Sequence, residues 1–515
     1  MTRPAHTFYV TAAIDYVNGD PHLGHAYEKI GCDVLARHRR LRGDDVRLTV
    51  GSDEHSQSVE RAARAEGLEP AAYCDRQVQA FTAMMAALDI EPTRFVRTSS
   101  AANACTSTTL WKAVAAAGHI YKDWYRAWFC PSCEQFYTEK EIVAGLCPVH
   151  QRAVEWVEEQ NWFFRLSDFG DRLLELYKRE PGFLVPAARR NEMLNVIRDG
   201  LTDISISRGF SRWGIPVPGD ESQVIWVWLD ALPAYLTGVG YPDGEELARF
   251  WPADVHVIGK DITRFHAVVW PAILMAAGMA PPQRVHAHGF INIGGEKMSK
   301  SRGIFVEPLQ LVERFGSDAV RWVLLSEVPF DRDGDFSMSN FVDRYNADLA
   351  NDYGNLVSRT TKMVQRYFGG RVPAPGRREP IDDELRSTAA RVVPVYDAAM
   401  DRLDFSEGMA AARQLVGRAN KYIEEVAPWS LHRQDDNRLA TVCIELLDAI
   451  RVATMLLHPV IPRATARVAA EVGLRLDRDL TEEVRTWPGI AEGAEVGVGE
   501  ILFPRLDRES VLAAG

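Results

Sequence analysis

No stretch of this 515-residue chain reaches the ~18 uninterrupted apolar residues that a membrane-spanning helix needs; Asp230 and Pro271 break the best candidates. The opening MTRPAHTFYVTAAIDY lacks the apolar core of a secretory signal, and Asp15 breaks the apolar run that starts at Phe8. Cysteine is scarce and odd in number, seven in all. Four of them, Cys32, Cys74, Cys105 and Cys443, are scattered among expected helices and their ends, which argues against a disulfide-framed secreted fold. A cytoplasmic protein with no membrane partner is therefore expected. Positive charge is not in excess either: the formal net charge is -12. That balance argues against sequence-blind coating of nucleic acid, though local basic patches can act within an acidic whole. The run Arg37-His38-Arg39-Arg40-Leu41-Arg42 reads as a solvated helix face or as a phosphate contact.

What is present is ample apolar material, 46% of residues, in a chain too long for one core. The start alternates strand and helix. His6 to Ile14 is an apolar run suited to a buried strand. Asp20 offers an N-cap and Pro21 a first helical position, and the helix is expected to run to Arg42 and stop at Gly43. Val46, Leu48 and Val50 then alternate as a second strand ending at Gly51. Strand, helix and strand with short joints predict a parallel sheet. Residues 118–223 lose that rhythm, and it resumes with strands expected at Gln223 to Leu229 and His256-Val257-Ile258. Beyond 351, apolar stripes at helical spacing predict a helical bundle, its first helix ending at Gly369-Gly370.

Two separated elements carry phosphate chemistry. His22-Leu23-Gly24-His25 opens the first long helix. The two histidines share a face at an N-terminus where free N–H groups and the dipole favour anions. Gly24 lets a flat base or sugar approach the backbone. Alone, the motif reads equally as capping or core histidines. Lys297-Met298-Ser299-Lys300-Ser301, flanked by glycines, reads as a basic loop that closes over a triphosphate or as a solvated one. Cys130-Pro-Ser-Cys133 and Cys147-Pro-Val-His150 supply three thiolates and an imidazole in two short turns. That set predicts one closed, structural Zn2+.

HxGH after the first strand, paired with KMSKS after the last, resembles the class I aminoacyl-tRNA synthetases. Ala13-Ile14-Asp15-Tyr16, Gly51-Ser52-Asp53-Glu54-His55, Trp228-Leu229-Asp230-Ala231, Gly259-Lys260-Asp261-Ile262 and Phe265 through Pro271 narrow the resemblance to the methionyl-tRNA synthetase family over nearly the whole chain. The resemblance implies formation of methionyl-adenylate from L-methionine and ATP with Mg2+, then transfer to tRNA(Met), initiator tRNA included. It assigns His22, His25, Lys297 and Lys300 to the ATP phosphates. Gly24, Gly259, Lys260, Asp261 and Arg208 belong to the ATP site, and Asp53 to the substrate ammonium. Ala13, Ile14, Tyr16 and Trp228 are implied in the methionine pocket. Ala231, Leu232, Tyr235, Ile262, His266 and Trp270 complete it. Leu23 and Leu232 depart from residues found in some relatives.

The same resemblance assigns Asn355, Arg359, Pro428 and Trp429 to the CAU anticodon. Unpaired bases are read by stacking on aromatics and by bonds to their edges. The implied fold is α/β: a Rossmann-like parallel sheet split by a zinc-knuckle insertion, then an all-α anticodon-binding bundle. Its divisions are 1–117 and 224–292 for the two catalytic halves and 118–223 for the insertion. Residues 293–350 form the KMSKS and stem-contact region, and 351–515 the bundle. Some relatives add a C-terminal tRNA-binding module that also dimerises, and none is visible here; the resemblance implies a monomer. Other readings are a different class I synthetase, a small-molecule nucleotidyltransferase and a non-catalytic tRNA-binding protein. The absence of a large editing insertion, the bundle, and the intact histidines and lysines weigh against them in turn.

Overall fold

A computed structural model of the chain describes residues 6–131, 135–137, 139, 141–149, 151–209, 212–297, 305–476 and 486–513. It divides into two compact units, Met1–Pro21 with Val46–Met85 and Glu91–His288, and His22–Asp45 with Ala86–Ile90 and Gly289–Gly515. No helix among the described residues is long and apolar enough to cross a membrane.

The first unit is built on a seven-stranded sheet. Its strands are β1 (Thr7–Ala12), β2 (Asp15–Tyr16), β3 (Asp45–Asp53), β4 (Arg94–Arg97), β5 (Leu184–Val185), β6 (Val255–Gly259) and β7 (Val285–His288). The order is β2-β3-β1-β6-β7-β5, with β4 also paired to β3. The registers of β1 with β6, β6 with β7, β7 with β5, and β3 with both β2 and β4 are parallel. β1 is buried along nearly its whole length, as a strand covered on both faces must be. Parallel pairing puts the carboxyl ends of β1, β3 and β6 on one edge, where such sheets receive ligands. Gly51 is required by that packing: a Cβ there would lie 2.3 Å from the Val96 carbonyl oxygen.

Residues 118–223 do carry order of their own, chiefly an antiparallel hairpin of Ile120–Cys130 with Glu155–Phe164. The expected strand from Gln223 to Leu229 is corrected. A strand does run Asp220–Ile225, but in a small antiparallel sheet with Pro216–Val217 and Ser207–Arg208, and Val227–Ala231 is a short helix. The Leu229 and Asp230 N–H groups turn back to the Trp226 carbonyl at 2.8 and 3.2 Å, ending the extended run. A short apolar stretch cannot by itself separate strand from buried helix.

In the second unit the first long helix spans Leu23–Leu41, two residues later than Pro21, because His22 rather than Asp20 caps it. The helices Pro380–Asp401, Phe405–Val426, Asp436–Leu457 and Pro462–Val472 form the expected bundle. Its helix Asn355–Phe368 ends at a left-handed Gly369, as anticipated. Arg321, fully buried, binds these parts together. Its guanidinium donates to Asp33 of the first helix at 2.7 Å and to the carbonyls of Leu88, Pro459 and Val460 at 2.7–3.0 Å. In this unit three of the four arginines of the basic run 37–42 meet carboxylates. Arg37 bonds Asp33, Arg39 pairs with Asp44 and Asp401, and Arg42 pairs with Asp397.

Candidate active site and tRNA-binding residues

His22 and His25 close a reciprocal cap. The His22 Nδ1 accepts the N–H groups of Gly24 and His25 at 3.1 and 3.4 Å, and the His25 Nδ1 accepts the His22 N–H at 3.1 Å. The rings stack with centroids 3.7 Å apart. With both Nδ1 atoms accepting, each neutral ring carries its proton on Nε2. Loss of water around the His25 ring, with His22 and Lys29 beside it, holds its pKa well below the ordinary value. Half-buried neutral imidazoles with Nε2–H donors at a helix N-terminus suit the binding of phosphate oxygens. The capping and phosphate readings of this motif are therefore compatible.

In the same unit, Lys297 ends the strand Glu296–Lys297, which pairs with Ile291–Ile293 through a tight turn at Gly294 and Gly295. Lys300 lies outside the described residues, as do Cys133 and His150.

The first unit holds all the residues assigned to the methionine pocket, and most of them lie in or against one buried cluster. Ala13 is buried, its N–H bonded to the Val257 carbonyl at 3.0 Å, while Ile14 and Tyr16 are half-buried after β1. Asp53 is buried at the carboxyl end of β3, opposite Tyr16. Trp228 stacks on Phe265 at 3.8 Å and meets His266 edge-on at 6.0 Å. A π-helical turn, Phe265–Val269, presents both of these residues; such turns recur at functional sites. The His266 Nδ1 lies 3.1 Å from the Ile262 carbonyl, so it is the donor there, and its Nε2 accepts the Tyr235 hydroxyl at 2.7 Å. Ala231 and Leu232 are buried beside them. Trp270 is fully buried and donates to His256 Nε2 at 3.3 Å, which leaves the His256 Nδ1–H to donate to Thr11 at 2.7 Å. Burial keeps that imidazole neutral.

Gly259, Lys260 and Asp261 leave the end of β6, next to β1. A Cβ at Gly259 would sit 2.7 Å from Asp261 Oδ1, so a larger residue there would have to turn the Asp261 carboxylate aside. Arg208 is buried, its Nη1 bonded to the Ser205 hydroxyl at 2.9 Å and the Ser207 carbonyl at 2.7 Å, with its guanidinium over Trp226.

A supporting layer went unread in the sequence. Glu54 receives Arg97 at 2.7 and 2.9 Å and the hydroxyls of Ser52 and Ser99, each at 2.6 Å. His55 meets buried Asp230 at 2.6 Å, and Asn103 donates to the same carboxylate at 2.8 Å. Burial raises the Asp230 pKa against the pull of His55. These pairs grip the residues following Asp53 from both sides.

At the knuckle, Cys130 and Cys147 are unbridged and share one small buried cluster with Tyr137 and Val154. The Cys147 sulfur lies 3.4 Å from the Tyr137 hydroxyl, and the Gln151 N–H closes a turn on the Cys147 carbonyl at 2.8 Å. Two thiols brought to one tight turn-built cluster fit half of a tetrahedral zinc set. In the bundle, Asn355 is exposed and Arg359 pairs with Glu424 at 2.6 Å. Pro428 opens a short helix after left-handed Ala427, and Trp429 is 53% exposed, unusual for so large an apolar ring.

A family model described as tRNA synthetases class I (M) matches residues 8–155 and 149–361, and one described as the anticodon binding domain of methionyl tRNA ligase matches 372–513. A protein of Caldanaerobacter subterraneus subsp. tengcongensis named methionine--tRNA ligase is 42% identical over 517 residues, covering 99% of this chain and 80% of its own. The chain belongs to the methionyl-tRNA synthetase family. A Brucella suis relative of the same name is 42% identical and is covered over 98% of its length by 97% of this chain. The solved structure of Mycobacterium tuberculosis methionyl-tRNA synthetase in complex with methionyl-adenylate matches with a TM-score of 0.94 at 41% identity. That match covers 97% of this chain and 100% of that one. The parallel α/β domain with a helical anticodon-binding domain is thus the family's own architecture.

Proposed function

We infer that the chain is a methionine--tRNA ligase. It joins L-methionine to ATP as methionyl-adenylate with release of pyrophosphate, then passes the methionyl group to the 3'-terminal adenosine of tRNA(Met), elongator and initiator alike. The observation that carries this reading is the capped histidine pair, each Nδ1 accepting a backbone N–H, in a member of this family. The methionine carboxylate attacks the α-phosphate in line. The protein contributes position and donors for charge that develops in flight. His22 and His25 donate to phosphate oxygens, and Lys297 and Lys300 neutralise the departing pyrophosphate. Mg2+ arrives with ATP and has no dedicated protein cage. Gly24, Gly259, Lys260 and Asp261 serve the nucleoside end, and Arg208 acts through its hold on the strand beside Trp226.

Asp53 pairs with the substrate ammonium. Trp228, Tyr235, His266 and Ile262, with Ala13, Ile14, Tyr16, Ala231, Leu232 and Trp270, surround the thioether, whose polarisable sulfur suits aromatic walls. Cys130, Cys133, Cys147 and His150 hold one structural zinc, which staples the knuckle. Metal analysis of protein purified without chelator should find one equivalent. Asn355, Arg359, Pro428 and Trp429 read the CAU anticodon. The divisions 1–117, 118–223, 224–292, 293–350 and 351–515, a monomeric state and a cytoplasmic location complete the reading.

The test is ATP–pyrophosphate exchange with each amino acid in turn. Methionine alone should support exchange well above background. Exchange driven better by isoleucine, valine, leucine or cysteine would replace the reading with another class I activity, and none at all would end it.

A further inference from the structure

We propose that the helix face carrying Asn355 and Arg359 continues through Lys362 and Arg366 as a track for the phosphate backbone of bound tRNA. The proposal rests on the reading of this unit as anticodon-binding, and extends it from bases to backbone. At 100° per residue, positions 355, 359, 362 and 366 fall within a sector of roughly 60°, and 1.5 Å per residue makes the stripe roughly 16 Å long. The opposite face is the packed one, with Leu356, Val357, Thr360, Thr361 and Val364 buried. The stripe therefore faces outward by construction.

Its charge is the second observation. Lys362 and Arg366 are exposed, and neither forms an ion pair among the described residues. Many arginines elsewhere in the chain are matched to carboxylates, as the run 37–42 shows, in a protein of net charge -12. Two unmatched cations in line with Arg359 stand out from that habit. Two carboxylates on the neighbouring helix Phe405–Val426 are already engaged: Glu424 with Arg359, and Glu425 with Arg418 and Lys421. At the far end the Arg366 guanidinium lies 5.8 Å from the Tyr367 ring centroid, and Tyr367 stacks on His432 at 4.5 Å. His432 follows the short helix that carries Trp429. Cations in a row, ending beside a stacked aromatic pair, are what a single-stranded polyanion with splayed bases requires.

The test uses the full chain and a tRNA transcript with a CAU anticodon. Log kcat/KM for tRNA is followed against log salt for the wild type, Lys362→Gln, Arg366→Gln, the double variant and Trp429→Ala. Removing one phosphate contact should make the slope shallower by about 0.7–0.9, and the double variant should do so by about 1.5. Unfolded protein lowers the intercept without changing the slope, so the readout separates contact from folding damage. Trp429→Ala should lower kcat/KM at unchanged slope. An unaltered slope in the double variant overturns the track and makes the stripe a solvated helix face. In that case the anticodon reading still stands if Trp429→Ala retains its loss. A Trp429→Ala variant that charges normally instead removes the anticodon reading on which the track rests.

Discussion

His25 does two jobs that one substitution can separate. Its Nδ1 accepts the His22 N–H, closing the cap of the helix Leu23–Leu41, and its Nε2–H is the donor proposed for phosphate. Glutamate at the third helical position keeps the first and abolishes the second. It is the usual partner in a capping box, its carboxylate accepts but cannot donate, and its charge suits a helix N-terminus. Alanine removes both. Losing a cap acceptor costs about 1 kcal/mol, and losing one donor to transition-state charge costs about 2.7–4 kcal/mol, or 10²–10³ in rate. Thermal stability should therefore run wild type near His25→Glu, with His25→Ala below. Exchange should run wild type, then His25→Ala down by about 10²–10³, then His25→Glu lower still, because a carboxylate now faces phosphate. The two orders cross. If exchange instead follows stability, with His25→Glu close to wild type, the histidine is only a cap and the phosphate role is wrong.

Three further substitutions probe the framework. Tyr235→Phe leaves His266 Nε2 without its 2.7 Å donor; at about 1–3 kcal/mol, KM for methionine in exchange should rise roughly 5- to 150-fold with KM for ATP unchanged, and an equal rise in both would point to general damage. Arg321→Met leaves buried Asp33 with Arg37 as its cation partner and strips three carbonyls. It should cost about 3 kcal/mol or more in urea unfolding, at about 1 kcal/mol or more for each buried carbonyl left without its donor; a loss under about 1 kcal/mol would refute the hub. Burial lowers the His458 pKa to about 4, so the folded protein keeps it neutral where the unfolded chain binds a proton. Stability from this group is complete above about pH 6.5 and lost as pH falls toward 4, at about 1.4 kcal/mol per pH unit. His458→Asn should flatten the stability–pH curve by that slope, and parallel curves would contradict it.

The residues whose roles are legible in the sequence are those whose chemistry is local. The reciprocal contact of His22 and His25 could be read because residues three apart share one helical turn. The strand that leads to Asp53 could be read because its apolar residues alternate, and Gly369 because a left-handed helix stop favours glycine. Partners distant in sequence leave no local mark. Glu54 and Arg97 are 43 positions apart and His55 and Asp230 are 175 apart, so neither pair has a spacing to notice. His256 sits inside a buried strand and looks like any core residue, although Thr11 and Trp270 fix both its nitrogens.

The basic run 37–42 shows what such distance does to a functional guess. Taken alone it offers phosphate four arginines. Folded, Arg37 meets Asp33, and Arg39 and Arg42 meet Asp401 and Asp397, 355 positions downstream in the case of Arg42. The cations at 362 and 366 were unremarkable in sequence and become interesting only because the fold gives them no carboxylate among the described residues. A charge seen in sequence is therefore a question about its neighbours. In an acidic protein that must hold an RNA, the informative cations are those the fold has declined to pair.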